Sequence, residues 1–245
     1  MSVPKSHPRY LSLSIRDKIV KGVVLGITSL HGLTAHGRGE AFDYLLGEKT
    51  HDFAKEAIEA AAAMLLLAKY PVISVNGNTA ALVPKELITL SKLINAPLEI
   101  NLFHGSKARE KKIKKYLEKH GATRVLMPKG NTVIKFLASN RKYVNPNGIA
   151  KAHVVFVPLE DGDRTEALIK NGKKVITVDL NPLSRTAQKA SITIVDNIIR
   201  ALPLLIGTVK VLKKHARRKL EKIVVSYDNK KTLKKSTVYI QRLSL

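Results

Sequence analysis

Between residues 72 and 195 the chain alternates short apolar runs with longer amphipathic ones. Residues 72–75, 98–103, 124–127, 153–157, 174–178 and 192–195 are rich in β-branched side chains and apolar on both faces, which predicts strands buried within a sheet. Helical spacing fills the gaps: Leu87, Ile88, Leu90 and Leu93 after the first strand, Ile113, Tyr116 and Leu117 within 107–120 after the second, and 166–171 after the fourth. A helix over 198–214 closes the series. Such alternation predicts an α/β fold, a Rossmann-like parallel sheet covered by helices on both faces. Upstream, the prolines of 4–10 forbid a regular helix, after which Leu13, Ile15, Ile19, Val20 and Val23 predict an N-terminal helical segment. A second helix runs from a candidate N-cap, Asp52, to Ala68 and is stopped by Tyr70 and Pro71.

Two stretches do not follow the pattern. Residues 128–147 suggest a short helix at 133–137 and a turn at 145–148. Residues 36–49 hold Gly37, Gly39 and Gly47 among two basic and three acidic groups, too irregular for a helix or strand, and are expected to form a binding loop. Arg38 within it can fork two hydrogen bonds onto a phosphate or carboxylate.

Length and composition narrow the class. With 245 residues and 44% hydrophobic content the chain can bury a sizeable core. It divides into one Rossmann-like domain over 1–209, N-terminal helical segment included, and a basic C-terminal extension over 210–245. The longest uncharged apolar run, 60–68, is far short of the ~20 residues of a membrane span, and the polar start lacks a signal-peptide core. The expected location is the cytoplasm. Zero cysteines exclude disulfides, thiolate nucleophiles and cysteine-held metals. The absence of tryptophan and the three methionines fit a thermophile's composition.

The net charge of +24 raises the prospect of a polyanionic partner. Around 107–119, however, Lys111, Lys112, Lys114, Lys115 and Lys119 surround an apolar seam as a solvated helix face would. The tail beyond Lys210 offers only Tyr227 and Tyr239 for base stacking. Nonspecific adhesion to nucleic acid at low salt is expected; the alternative it leaves open is a basic RNA-associated α/β binding protein without catalysis.

In parallel sheets ligands bind outside the carboxyl ends of the strands. Polar residues gather at four such ends here: Asn76 and Asn78; Glu160, Asp161, Asp163 and Arg164; Asp179, Asn181, Arg185 and Thr186; Asp196 and Asn197. An acidic residue there can take a ribose hydroxyl and an arginine a phosphate, so the pattern favours a nucleotide. A strand-end Asn-Gly-Asn at 76–78 opening a helix also presents N–H groups to an anion. No Walker phosphate loop, Gly-x-Gly-x-x-Gly fingerprint or His-Glu-x-x-His helix is present.

Residues 4–10, 36–50, 72–84, 158–168, 178–187 and 192–203 together resemble, in order, the archaeal 4-phosphopantoate–beta-alanine ligases, or phosphopantothenate synthetases. The resemblance covers roughly 4–206. It implies a homodimeric enzyme of coenzyme A biosynthesis that uses ATP, with Mg²⁺, to join 4-phosphopantoate to beta-alanine through a phosphopantoyl adenylate, releasing AMP and pyrophosphate. Carried onto matching positions, the ATP contacts are Arg16, Arg38, Asp179, Leu180, Asn181, Arg185, Thr186, Asn197 and Ile198. Arg38 and Arg185 are the expected charge-stabilising groups. His36, Glu40, Asn76, Asn78, Glu160, Asp161, Asp163 and Arg164 are candidates for the substrates. Glu160, Asp161 and Asp163 could instead contact Mg²⁺, anchor the ammonium of beta-alanine, or form a capped acidic turn.

Overall fold

A computed structural model describes residues 4–103, 105–159 and 162–242. Three helices, Tyr10–Val24 (α1), Leu30–Leu45 (α2) and Asp52–Leu67 (α3), precede the first strand, Pro71–Val75 (β1). Then follow Gly77–Leu82 (α4), Pro84–Leu93 (α5), Leu98–Ile100 (β2), Lys107–Lys119 (α6), Val125–Leu126 (β3), Val154–Pro158 (β4) and Gly162–Lys170 (α7). The chain continues through Lys174–Val178 (β5), Arg185–Lys189 (α8), Ile192–Ile194 (β6), Ile198–Leu212 (α9), Arg217–Ser226 (α10) and Asn229–Arg242 (α11).

The expected α/β architecture is what forms. Every strand pairing is parallel, in the order β3-β2-β1-β4-β5-β6. Period-two alternation sends Ile73, Val75, Phe156, Ile176 and Ile194 into a core shared with α3, α5 and α9. Val72, Val155, Val157 and Val175 face the other way and meet Leu168 of α7 with Ile134, Val144 and Ile149. Sequence order reverses between β1 and β4, which creates a crevice at their carboxyl ends. Helices α10 and α11 pack on α3 and bury Leu220 and Leu233. Asn229, opening α11, accepts from the Thr193 N–H on the outer edge of β6 at 2.7 Å and donates to the Ala187 and Ala190 carbonyls. Among the described residues, no helix is long and apolar enough to cross a membrane.

Two expectations are corrected. Residues 36–49 are not a loop: they are the second half of α2 and its C-terminal turn. Gly37 and Gly39 each cost a helix about 1 kcal/mol relative to alanine, which obscures the helical period, and a Cβ at either would meet no crowding neighbour. A Cβ on Gly32 would lie 2.4 Å from the Asn78 side chain, so a small residue is what lets α2 seat on α4. Gly47, with φ +71°, ends the helix in a Schellman turn, its N–H bonding to Tyr44 and that of Glu48 to Asp43. Nor is 133–137 a helix; Val133 forms an antiparallel bridge with Tyr143, and a 3₁₀ turn spans Asn140–Lys142.

The irregular segment between β3 and β4 is held by buried polar pegs rather than by its own ladder. Asn101 donates to the carbonyls of Arg141 and Tyr143, Glu99 accepts from the N–H groups of Asn145 (2.8 Å) and Ile149 (2.6 Å), and Lys173 donates to Ala150 and Ala152. Arg164, fully buried, reaches Asn101 at 2.7 Å and the Ser74 hydroxyl. Burial pushes the Glu99 carboxyl up from 4.5 to about 7, against the pull of those two N–H groups, Arg164 and Lys173. The native state therefore binds more protons than the unfolded chain between these values, and Glu99 favours folding at low pH. Its contribution falls by about 3 kcal/mol as pH rises through that window. His36, lowered by burial, acts in the opposite sense. Subtracting the urea stability of Glu99→Gln from wild type between pH 4.5 and 7.5 cancels the His36 effect, and the difference is expected to decline with pH; a flat difference would refute it.

Candidate active site

The strand ends of β5 and β6, the start of α9 and one side of α2 enclose a cleft of about 600 Å³. Asp179, Leu180 and Asn181 leave β5 and enter its floor; Ser184, Arg185 and Thr186 open α8; Asn197 and Ile198 open α9. His36, Arg38 and Glu40, one helical turn of α2, form the facing wall, and α4 adds Asn78 and Leu82. These groups converge because each strand-to-helix connection delivers its polar turn at the same edge of the sheet.

The floor is tightly wired. Asp179 accepts from the Ser184 hydroxyl and from the Asn181 N–H at 3.0 Å. Burial raises its pKa, opposed by those bonds and by the charge of Arg38. Ser184 in turn caps α8 through the Ala187 N–H, and Asn197 caps α9 through Ile199. Arg185 lies against Gly162, where a Cβ would sit 2.5 Å from the arginine's own, and its guanidinium pairs with Asp163 and, at 2.7 Å, with Glu166. Arg185, ahead of Lys170, holds the Glu166 carboxyl down to about 2.

The α2 wall differs. Arg38 is exposed and, among the described residues, makes no hydrogen bond or ion pair. The Nε2 of His36 is buried with no hydrogen-bond partner among the described residues, and burial lowers the ring's pKa, Glu40 pulling it up and Arg16 down. Burial raises Glu40, but hydrogen bonds from Arg16 (2.9 Å) and the Tyr44 hydroxyl (2.9 Å) outweigh it and leave the carboxyl below its ordinary range.

Of the residues singled out from the sequence, His36, Arg38, Glu40, Asn78, Asp179, Leu180, Asn181, Arg185, Thr186, Asn197 and Ile198 meet at the cleft. Arg16 stands behind it, joined through Glu40. Asn76 caps α4 and spans the β1–β4 crevice to the Leu159 carbonyl at 2.7 Å. Asp163 lies beyond Arg185, and Arg164 is sealed in the core. Glu160 and Asp161 lie outside the described residues. Sequence reasoning passed over Ser184, whose signal was its place before a helix, and Phe42, which lines the wall with no distinguishing neighbour. Among the described residues no three His, Asp or Glu side chains cluster to hold a metal.

A doubly wound parallel sheet with a polar, cation-bearing cleft at its carboxyl edge defines a Rossmann-like α/β protein with a small-molecule site. A family model described as phosphopantothenate/pantothenate synthetase matches residues 53–243, and the chain belongs to that family. It is 54% identical over 242 residues to the 4-phosphopantoate–beta-alanine ligase of Thermococcus kodakarensis, covering 98% of this chain and 93% of the relative. The Methanosarcina mazei protein of the same name is 48% identical over 239 residues, covering 98% and 94%. The family expected from the ordered sequence strings is the one found.

Proposed function

We propose that this chain is an ATP-dependent ligase joining 4-phosphopantoate to beta-alanine, giving 4'-phosphopantothenate, AMP and pyrophosphate through a phosphopantoyl adenylate. The observation that carries this reading is Arg38, without a hydrogen bond or ion pair among the described residues, facing a cleft floored by Asp179, Asn181 and the N-terminus of α9, in a chain nearly coextensive with ligases of that name. The pantoate carboxylate attacks the α-phosphorus and pyrophosphate leaves. Negative charge grows on the α-phosphoryl oxygens, where Arg38, Arg185 and the positive end of the 15-residue α9 are placed to offset it. Mg²⁺, when bound with the triphosphate, would supply further charge neutralisation. The amine of beta-alanine then attacks the acyl carbonyl, a C–N bond replaces the C–O bond to AMP, and the nitrogen loses a proton.

The test is product analysis on purified protein with ATP, Mg²⁺, 4-phosphopantoate and beta-alanine, each omitted in turn. Multiple-turnover AMP and phosphopantothenate formation in the complete mixture alone is expected. ADP and phosphate instead would replace the adenylate with an acyl phosphate, and no nucleotide turnover by folded protein would overturn the reading.

A further inference from the structure

Helix α2 carries three cleft residues, yet it is poorly anchored by apolar burial. Leu30, Tyr44 and Leu45 are exposed, and among the described residues Asp43 is the one α2 side chain that is buried, at 4% exposure. That carboxylate enters a largely buried ionic cluster. Arg200, on α9, donates to both Asp43 oxygens, at 2.5 and 3.2 Å, and to Asp196 at 2.7 and 2.9 Å. Asn197 donates to Asp43 at 2.7 Å, and its own N–H bonds to Asp196. Thr50, in the turn leading to α3, donates to the remaining Asp196 oxygen at 2.6 Å.

We infer that Arg200 and Asp43 are positioning residues for the ligase reaction, an ionic clasp that fixes the α2 wall against the start of α9 and so sets Arg38 over the reacting phosphate. Both cleft walls depend on the same two carboxylates: Asp43 holds α2 itself, and Asp196 with Asn197 forms the turn that aims the first N–H groups of α9. A planar guanidinium is suited to the job because it binds two carboxylates at once in fixed directions, which an ammonium cannot. Neither residue lines the cleft. The inference rests on the proposed ATP-dependent reaction for its kinetic consequence but not for its structural one.

The closing experiment uses the full chain and Asp43→Asn, Arg200→Lys, Arg200→Gln and the double variant Asp43→Asn/Arg200→Gln. Glu56→Gln, which removes an exposed bridge to Lys235, is the control. Steady-state kinetics for AMP formation are joined to amide hydrogen exchange of residues 30–45. Misplacement of a wall by about an ångström lowers kcat by about 100-fold. Asp43→Asn and Arg200→Gln should show that loss with a raised KM for ATP, unchanged KM for beta-alanine and faster exchange across α2. Arg200→Lys should recover a part, the double variant should be no worse than Arg200→Gln, and the control should match wild type. Unchanged α2 exchange, or activity lost only in proportion to unfolded protein, would overturn the clasp. If wild type makes no AMP, the functional reading fails while the exchange data still decide the clasp.

Discussion

Arg38→Ala is expected to slow AMP formation by about 100- to 1000-fold, the range found when one fixed donor is removed from a developing oxyanion. The thermal midpoint should stay near wild type, because the side chain is exposed and makes no hydrogen bond or ion pair among the described residues. A cation held uncommitted beside a polar cleft contributes nothing evident to folding and is free to engage phosphate. Arg185 starts from another condition, already paired to Asp163 and Glu166, so a phosphate must compete with two carboxylates for it. Arg185→Ala should therefore cost less than Arg38→Ala, and Arg38→Lys should restore only part of the rate, lacking the two-pronged donor. Full turnover by Arg38→Ala would remove Arg38 from the chemistry.

Arg164→Ala should have the largest effect on stability, about 3–5 kcal/mol by urea denaturation, the usual consequence of breaking a buried charged arrangement by deleting one partner. Its side chain is fully buried, its hydrogen bonds run to Asn101 and Ser74, and its charge lies close enough to Glu99 to oppose the upward shift of that carboxyl. Without it, Asn101 loses the partner that orients it toward the carbonyls of Arg141 and Tyr143, and the segment between β3 and β4 loosens. Arg164→Met, which refills the volume, should recover some of the loss. The protein that remains folded should keep its KM values, since the side chain does not reach the cleft. A stability change under about 1 kcal/mol would mean that the cluster is dispensable.

The sheet was legible because each strand is apolar on both faces and each helix has its own period; β4 and β5 lie within a residue of the expected ranges. The floor of the cleft was legible for a related reason: a parallel sheet places all its strand ends together, so Asp179, Asn181 and Asn197 needed no long-range information. The α2 wall was misread in form though not in membership. Gly37 and Gly39 look like loop residues because neither favours a helix, and what seats the helix, Gly32 against Asn78, is a contact between residues far apart in sequence. Arg164 shows the converse failure: from sequence, an arginine after a strand resembles a ligand group, and burial alone distinguishes it from one. Asp43 and Arg200 could not be paired at all, being 157 positions apart.

The seal that Asn229 places on β6 bears on how copies of this chain behave at high concentration. A sheet edge is a template for another strand, and β6 is protected by being three residues long, by the amide that occupies its outward N–H, and by α11 lying over it. Cleavage or truncation between α9 and α10 would strip that cover and bare the apolar side of α3 along with it. Such a product would be sticky rather than merely shortened, so the basic helices serve colloidal behaviour whatever else their charge attracts.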